Sequence, residues 1–148
     1  MHRSIGVLVV TAVAGMLATA ASAQTYGTPN LSTSTSASGP SFSARYFTTP
    51  LENDASRVVQ MQQQLHLPNR PGNAFHTHNG DQWEVVIEGE ITYTVRGQPP
   101  RVLKTGDFVY IPRGTIHRNE NKSNLPTRTM ELLIMDKDKP QSNPVPTD

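Results

Sequence analysis

Two histidines stand one residue apart in the stretch "FHTHNGDQWEV", and the residue types there suit metal binding. On a strand, His76 and His78 would share one face, about 6.6 Å apart along the backbone. Two imidazoles at that spacing can tilt toward one ion, with metal–nitrogen distances of roughly 2.0–2.2 Å. If the turn "NGD" folds the chain back, Gln82 arrives beside them, and a third histidine, His117, follows the turn "PRGTI". The spacing therefore predicts a metal site assembled from two separate turns.

Glu84 is a second candidate for chemistry, because strand alternation places it on the same face as Gln82. An inward carboxylate in an apolar barrel is unfavourable unless it is paired. Three roles stay open for Glu84. It could form an ion pair with Arg118 or Arg128, act as an acid or base next to the metal, or replace Gln82 as a ligand.

The elements that must position these residues read as β-strands, because apolar and polar residues alternate with a period of two. Glycine and proline turns separate the strands, and no stretch keeps a helical period beyond about one turn. The predicted strands lie within "SRVVQMQQQLHL", "WEVVIEGEITYTVRG", "RVLKTGDFVYIPRG" and "RTMELLIMD". Short strands with regular turn signals predict an all-β sandwich or barrel.

Alternation also predicts which side chains point inward toward a pocket. A slip of one residue would invert each strand's list. The predicted inward residues are Val58, Gln60, Gln62, Tyr93, Phe108, Met130 and Leu132.

Composition divides the 148 residues into four segments. Residues 1–23 have a basic start, an apolar run of about 14 residues and the ending "ASA", which is typical of a cleaved secretory signal. Residues 24–43 are rich in serine, threonine, glycine and proline, which predicts a flexible linker. Residues 44–136 form the predicted β-barrel domain, and residues 137–148 a polar extended tail. We therefore expect an exported protein, periplasmic or secreted, with no stable membrane insertion after cleavage.

Charge and cysteine content exclude several classes of partner and site. The formal net charge is +1 and there is no cysteine. Neither a nucleic-acid footprint nor a zinc–thiolate site is indicated, and an exported fold must be stable without disulfides.

Two motifs resemble those of the cupin superfamily. The stretch "GDFVYIPRGTIHRNEN" matches the second cupin motif, G-x5-P-x-G-x2-H-x3-N, at every fixed position from Gly106 to Asn121. In the first motif, G-x5-H-x-H-x3,4-E-x6-G, His76, His78 and Gly89 match, and Gln82 replaces the usual glutamate. The leading glycine is displaced, because the pattern expects it at position 70 and the nearest glycine is Gly72. The export signal and tail also resemble exported single-domain cupins described as quercetin-dioxygenase-like.

The resemblance implies a small double-stranded β-helix, the cupin jelly-roll barrel, with a metal near its open end. It implies four protein ligands, which are His76, His78, Gln82 and His117. It favours Gln82 over Glu84, because Gly89 keeps the expected spacing only from Gln82. We expect Gly89 and Gly106 to adopt positive φ at hairpin turns, and Asn121 to bond a loop backbone instead of the metal.

A glutamine ligand leaves the ion with more positive charge than a glutamate would, so we expect weaker metal affinity and a better polarised bound oxygen. Nitrogen and oxygen donors are compatible with Fe(II), Mn, Ni, Co, Cu or Zn, and the donor types alone do not choose among them. We expect Fe(II) or Mn. We expect a dioxygenase-like enzyme that acts on a small enol or phenol, with Glu84 accepting a substrate proton.

Three alternatives remain: a non-redox isomerase or lyase, a module that binds a sugar or acid without turnover, and a structural role. The segment "SARYFTT" could support a homodimer, since cupins often dimerise through an N-terminal strand.

Overall fold

The computed structural model describes residues 41–146, which fold into ten strands and no helix. The predicted signal, most of the linker and residues 147–148 lie outside the described residues. In chain order the strands are β1 (Ser41–Leu51), β2 (Asp54–His66), β3 (His76–His78), β4 (Gly80–Glu88), β5 (Glu90–Val95), β6 (Arg101–Lys104), β7 (Phe108–Ile111), β8 (His117–Glu120), β9 (Thr127–Asp136) and β10 (Ser142–Pro144).

The strands form two antiparallel sheets of five strands each, as expected for an all-β jelly roll. The order is β1-β2-β9-β4-β7 in the first sheet and β10-β3-β8-β5-β6 in the second. Strand β1 begins before the predicted boundary at residue 44, and β10 lies within the predicted tail of residues 137–148. Within residues 41–146 there is no helix with the length and apolar character needed to span a membrane.

Glycines at two corners pass the chain between the sheets. Gly89 joins β4 to β5 with φ +85°, and Gly106 lies between β6 and β7 with φ +91°. The predicted positive φ values are confirmed. Any other residue would be strained at such angles, which explains why glycine occupies both corners. The turns are not hairpins, however, since each connects strands of different sheets.

The interior contains two apolar clusters and many buried polar side chains. One apolar cluster contains Val86, Ile91, Tyr93, Leu103 and Ile111, and a smaller one contains Val58, Leu133 and Met135. The remaining buried positions carry many polar side chains, including glutamines of β2 and glutamates of β4 and β9. Buried polar groups need partners, so a cluster of unpaired ones marks a candidate site.

The predicted inward faces are right on β2 and β5 and wrong on β7 and β9. Val58, Gln60, Gln62 and Tyr93 are buried. Phe108 is 70% exposed, and Met130 and Leu132 are only half-buried on the opposite face from Glu131 and Leu133.

Alternation does not identify the inward face of β9, because both faces of this strand carry apolar residues. Its outer face continues an apolar surface, the outer sheet patch, which is formed by Trp83, Val85, Ile87, Phe108 and Tyr110.

Candidate metal centre

Three imidazoles from two strands of the second sheet converge on one point. His76 and His78 lie on β3, and His117 on the neighbouring β8 is the register partner of His76. Ring centroids are 4.5 Å apart for His76 and His117, 4.9 Å for His76 and His78, and 5.1 Å for His78 and His117. One nitrogen from each ring lies within 4.8 Å of the other two. These three side chains could therefore hold a metal ion.

Backbone carbonyls fix which nitrogen of each ring faces that point. The Nδ1 atoms of His76, His78 and His117 lie 2.8–2.9 Å from carbonyl oxygens of Ala74, Gln141 and Thr115. A carbonyl only accepts hydrogen bonds, so each Nδ1 carries the proton and each Nε2 keeps a free lone pair. The Nε2 of His78 is buried and has no hydrogen-bond partner. This arrangement is the one that imidazole ligands of metals require.

Gln82 adds an oxygen donor from the opposite sheet. It lies on β4, is 2% exposed, and borders the same cavity as the three histidines. Its Oε1 atom is buried without a hydrogen-bond partner. An unpaired buried oxygen beside an unpaired buried imidazole nitrogen is unfavourable in the protein alone, and a bound divalent ion would satisfy both. The residues present therefore fit a metal centre.

Burial also keeps two of the imidazoles neutral. It lowers the pKa of His117 to about 4, and it lowers the pKa of His78, which the hydrogen bond to the Gln141 carbonyl partly offsets. A neutral imidazole is the form that ligates metals.

Glu84 is buried behind this site and does not join it. It is 2% exposed, and the side chains of Thr129 and Asn119 are the polar groups that favour its charged form. It is not part of the histidine group and does not border the cavity, so the structure favours Gln82 over Glu84 as the fourth donor. The proposed ion pair is wrong, because Arg128 pairs with Glu88 at 3.5 Å and Arg118 lies over the Phe75 ring.

Glu131 is a site residue that alternation on β9 assigned to the wrong face. It lies opposite Glu84 in the pairing of β4 with β9 and borders the cavity. Its carboxylate accepts hydrogen bonds from the side-chain amides of Gln62, at 2.7 Å, and Gln64. Burial raises the pKa of both carboxyls, and the neighbouring Glu131 raises that of Glu84 further. The pair therefore holds a proton more readily than two exposed carboxyls would. The sequence signal for a role of Glu131 is a charged residue within an otherwise apolar strand.

The remaining predicted polar residues have structural partners. Asn121 donates to the backbone oxygens of His66 and Leu125, as expected for a loop-binding residue. His66 is buried beside the Thr129 hydroxyl at 3.2 Å, away from the three histidines. Tyr93 stacks on His117 with an interplanar angle of 7°.

The cavity beside the histidines has a volume of about 310 Å³ and a wall rich in amides. Among the described residues that border it there is no lysine or arginine. The amide side chains around it are those of Gln64, Asn73, Gln82, Asn119 and Gln141. Amides both donate and accept hydrogen bonds, so this wall suits hydroxyl and carbonyl groups.

Comparison with known proteins agrees with this geometry. Residues 65–134 match the family model described as Cupin domain. Among curated proteins, the dimethylsulfoniopropionate lyase DddQ of Ruegeria pomeroyi is 35% identical over 63 residues, which is 43% of this chain and 28% of DddQ. YdbB of Bacillus subtilis is 32% identical over 59 residues, 40% of this chain and 49% of YdbB. The chain thus spans less than half the length of these relatives.

Solved structures show the same fold at low sequence identity. A cupin-like protein from Thermotoga maritima aligns with a TM-score of 0.57 and 22% identity, covering 74% of this chain and 78% of that one. The polyketide cyclase RemF from Streptomyces resistomycificus aligns with a TM-score of 0.58 and 18% identity, covering 74% and 73%. These likenesses establish the double-stranded β-helix and no activity. Residues 65–134 thus match a cupin domain model, and the described strands share the double-stranded β-helix of these solved structures.

Proposed function

We propose that this protein is a metal-dependent cupin enzyme that acts on a small organic molecule. One observation carries the proposal: three imidazoles present their free Nε2 atoms to a common point, with the unpaired Gln82 Oε1 on the same cavity. A purely structural domain would have no reason to leave buried donor atoms unpaired.

His76, His78, Gln82 and His117 would hold the ion, with Fe(II) or Mn as the foremost candidates and Ni, Co, Cu or Zn compatible. A divalent ion there would supply Lewis acidity, and a redox-active one would also supply O2 chemistry. Because Gln82 is neutral, the protein donates no charge from these four side chains when the imidazoles are neutral.

The two buried glutamates would handle the substrate proton. Glu131 borders the cavity and is aimed by Gln62 and Gln64, so it is placed to take a proton from a bound enol or phenol. Glu84, the residue predicted for this role, lies opposite Glu131 and away from the cavity. We assign Glu84 to positioning, since burial and the neighbouring Glu131 raise its pKa to about 8, so that it keeps its proton beside Glu131.

Cavity size and lining restrict the substrate. A volume of about 310 Å³ lies at the small end of ligand cavities, which span roughly 300–1,000 Å³. The amide wall, with no cationic side chain described on it, favours an uncharged molecule with hydroxyl or carbonyl groups. We propose a dioxygenase-like reaction on such an enol or phenol.

The reaction class is tested by loading the purified protein with Fe(II) or Mn(II) and following O2 uptake with flavonol and β-diketone substrates. We expect uptake with the intact protein and none with His117→Ala, while His66→Gln, which changes a histidine outside the site, stays active. Saturable binding without turnover under every metal would support a binding module instead.

A non-redox lyase is a second candidate, because the relative DddQ is named as a lyase. The same Glu131 would remove a proton from the substrate, and a C–X bond would break without O2. Substrate consumption under strict anaerobic conditions, equal to that in air, would support the lyase and contradict the dioxygenase.

Export remains a proposal that rests on residues 1–23, which have the composition of a signal. Mass spectrometry of the protein from the native host's periplasm or medium should give a mature chain that begins near Gln24. A cytoplasmic chain that retains Met1 would contradict export.

A further inference from the structure

The C-terminal segment, residues 137–146, forms one wall of the histidine site. Its strand β10 pairs with β3, so that Ser142 lies opposite His78 and Pro144 opposite His76. Gln141, Ser142 and Pro144 border the cavity. The segment therefore contacts the strand that carries two of the three imidazoles.

His78 differs from the other two imidazoles in the carbonyl that fixes its ring. His76 and His117 each bond a carbonyl oxygen two residues earlier in the chain. The Nδ1 of His78 instead lies 2.8 Å from the carbonyl oxygen of Gln141, which is 63 residues away. The rings of His76 and His117 are thus oriented by carbonyls close to them in the chain, whereas the ring of His78 depends on a distant segment.

Hydrogen bonds hold this segment in place, with little help from apolar burial. The Gln141 side-chain oxygen accepts from Gln60 Nε2 at 2.7 Å and from Arg45 at 3.3 Å. Asn79 Nδ2 donates to the Pro140 carbonyl at 2.8 Å. None of residues 137–146 is buried, and residues 137–140 are exposed. Since no core side chain comes from the segment, its detachment would leave the two apolar clusters intact.

We infer that docking of residues 137–146 sets the metal affinity of the site by orienting His78. The inference rests on the proposed metal centre. With the Gln141 carbonyl in place, the Nδ1 proton is held and the Nε2 lone pair points at the ion. Without that carbonyl the ring is free to rotate and to exchange tautomers. Loss of such an outer partner typically weakens metal binding by about 10–100-fold.

The test compares the intact protein with a chain that ends at Lys137, which keeps the backbone bond from Lys137 to Ser56. Co(II) is titrated into each metal-free protein and followed by visible absorption. We expect the Kd of the shortened chain to rise about 10–100-fold, while its metal-free Tm falls by only a few degrees. A synthetic peptide of residues 138–148, added in trans at millimolar concentration, should restore much of the affinity.

A second readout separates orientation of His78 from general loosening. In ¹⁵N NMR of the metal-free proteins, the His78 ring should change from one Nδ1-protonated tautomer to an exchanging mixture on truncation. The rings of His76 and His117 should keep their tautomer, because Ala74 and Thr115 remain. Equal changes in all three rings would contradict a specific role.

The Gln141→Ala variant keeps the full chain and removes the bonds to Gln60 and Arg45, so it serves if the shortened chain does not fold. We expect its Kd for Co(II) to rise several-fold, whereas Lys139→Ala, a change at an exposed position of the same segment, should match the intact protein. Affinities within twofold for the intact, shortened and Gln141→Ala proteins would overturn the inference alone. An intact protein that binds no Co(II) would overturn the metal centre and this inference with it.

Discussion

Gln82 determines the charge of the proposed metal centre. Its amide oxygen is buried and unpaired among three imidazoles, two of which burial keeps neutral. A carboxylate at the same position would add a negative donor, but in the metal-free protein it would be a further buried charge near the glutamate pair. Affinity for the ion and stability without it should therefore respond in opposite directions to a change at this position.

Gln82→Glu should tighten Co(II) binding by at least tenfold and lower the metal-free Tm. The charged oxygen attracts the cation, while burial of an unpaired carboxylate disfavours folding. Isothermal titration and circular dichroism melts of metal-free samples measure the two effects. The variant Gln63→Glu, at a half-buried position on β2 outside the cavity, is the matched control. Weaker metal binding in Gln82→Glu would show that Gln82 is not a ligand.

Glu131→Gln should lower turnover by about 10²-fold or more, because the amide cannot accept a substrate proton. Metal content should stay unchanged, since Glu131 is not among the four proposed ligands. Glu88→Gln, which alters an exposed glutamate paired with Arg128, should behave as the intact protein. Turnover of Glu131→Gln equal to that of Glu88→Gln would remove Glu131 from the proposed chemistry.

The loop that leads into β3 and the strand β8 approach each other closely at Gly72. A Cβ atom at this position would lie 2.3 Å from the Asn119 carbonyl oxygen and 2.6 Å from the Glu120 Cβ. The cupin pattern expects the leading glycine two positions earlier, yet the packing shows why Gly72 is needed here. The approach keeps β3 and β8, and hence their histidines, at a fixed separation.

We expect Gly72→Ala to lower both the Tm and the affinity for Co(II), because the added methyl group pushes β3 away from β8. Gly97→Ala is the comparison: its φ of +83° strains an alanine, but no atom lies within 4 Å of the new Cβ. Gly97→Ala should therefore lose stability without losing metal affinity. A Gly72→Ala protein that binds Co(II) as tightly as Gly97→Ala would contradict this coupling.

Elements differ in how far the sequence predicts them. Glycines, prolines and histidines at fixed spacing identify the corners and the convergence of β3 with β8, because those residues act locally. Glu131 and Gln141 have roles that depend on which strand lies opposite, and a single sequence does not contain that information. The prediction of the inward faces of β7 and β9 was wrong for a related reason. The outer sheet patch makes both faces of the sheet apolar, which removes the alternation signal.

At the scale of the whole molecule, buried His66 links folding to pH. It lies at the end of β2 beside Thr129, and burial lowers its pKa to about 4. In the unfolded chain the value is near 6.5, so the unfolded state binds the proton first as pH falls. This contribution to stability is complete above about pH 6.5 and is lost between there and about pH 4.

The intact metal-free protein should therefore lose more stability than His66→Gln between pH 7 and pH 4, by about 3 kcal/mol if the ring stays buried. Urea unfolding at a series of pH values, with EDTA present, measures the difference. Because His78 and His117 are also buried, only the gap between the two curves reports on His66. Parallel curves would show that His66 has an ordinary pKa in the folded state.

Trp83 is the one tryptophan of the chain, and it stacks on Tyr110 within the outer sheet patch, on the opposite face of β4 from Gln82. Its emission therefore reports on the exterior of the barrel. Acrylamide should quench it readily in the isolated folded protein. Any molecule that covers this surface, a second copy of the chain included, would shield the indole and give a signal that needs no label.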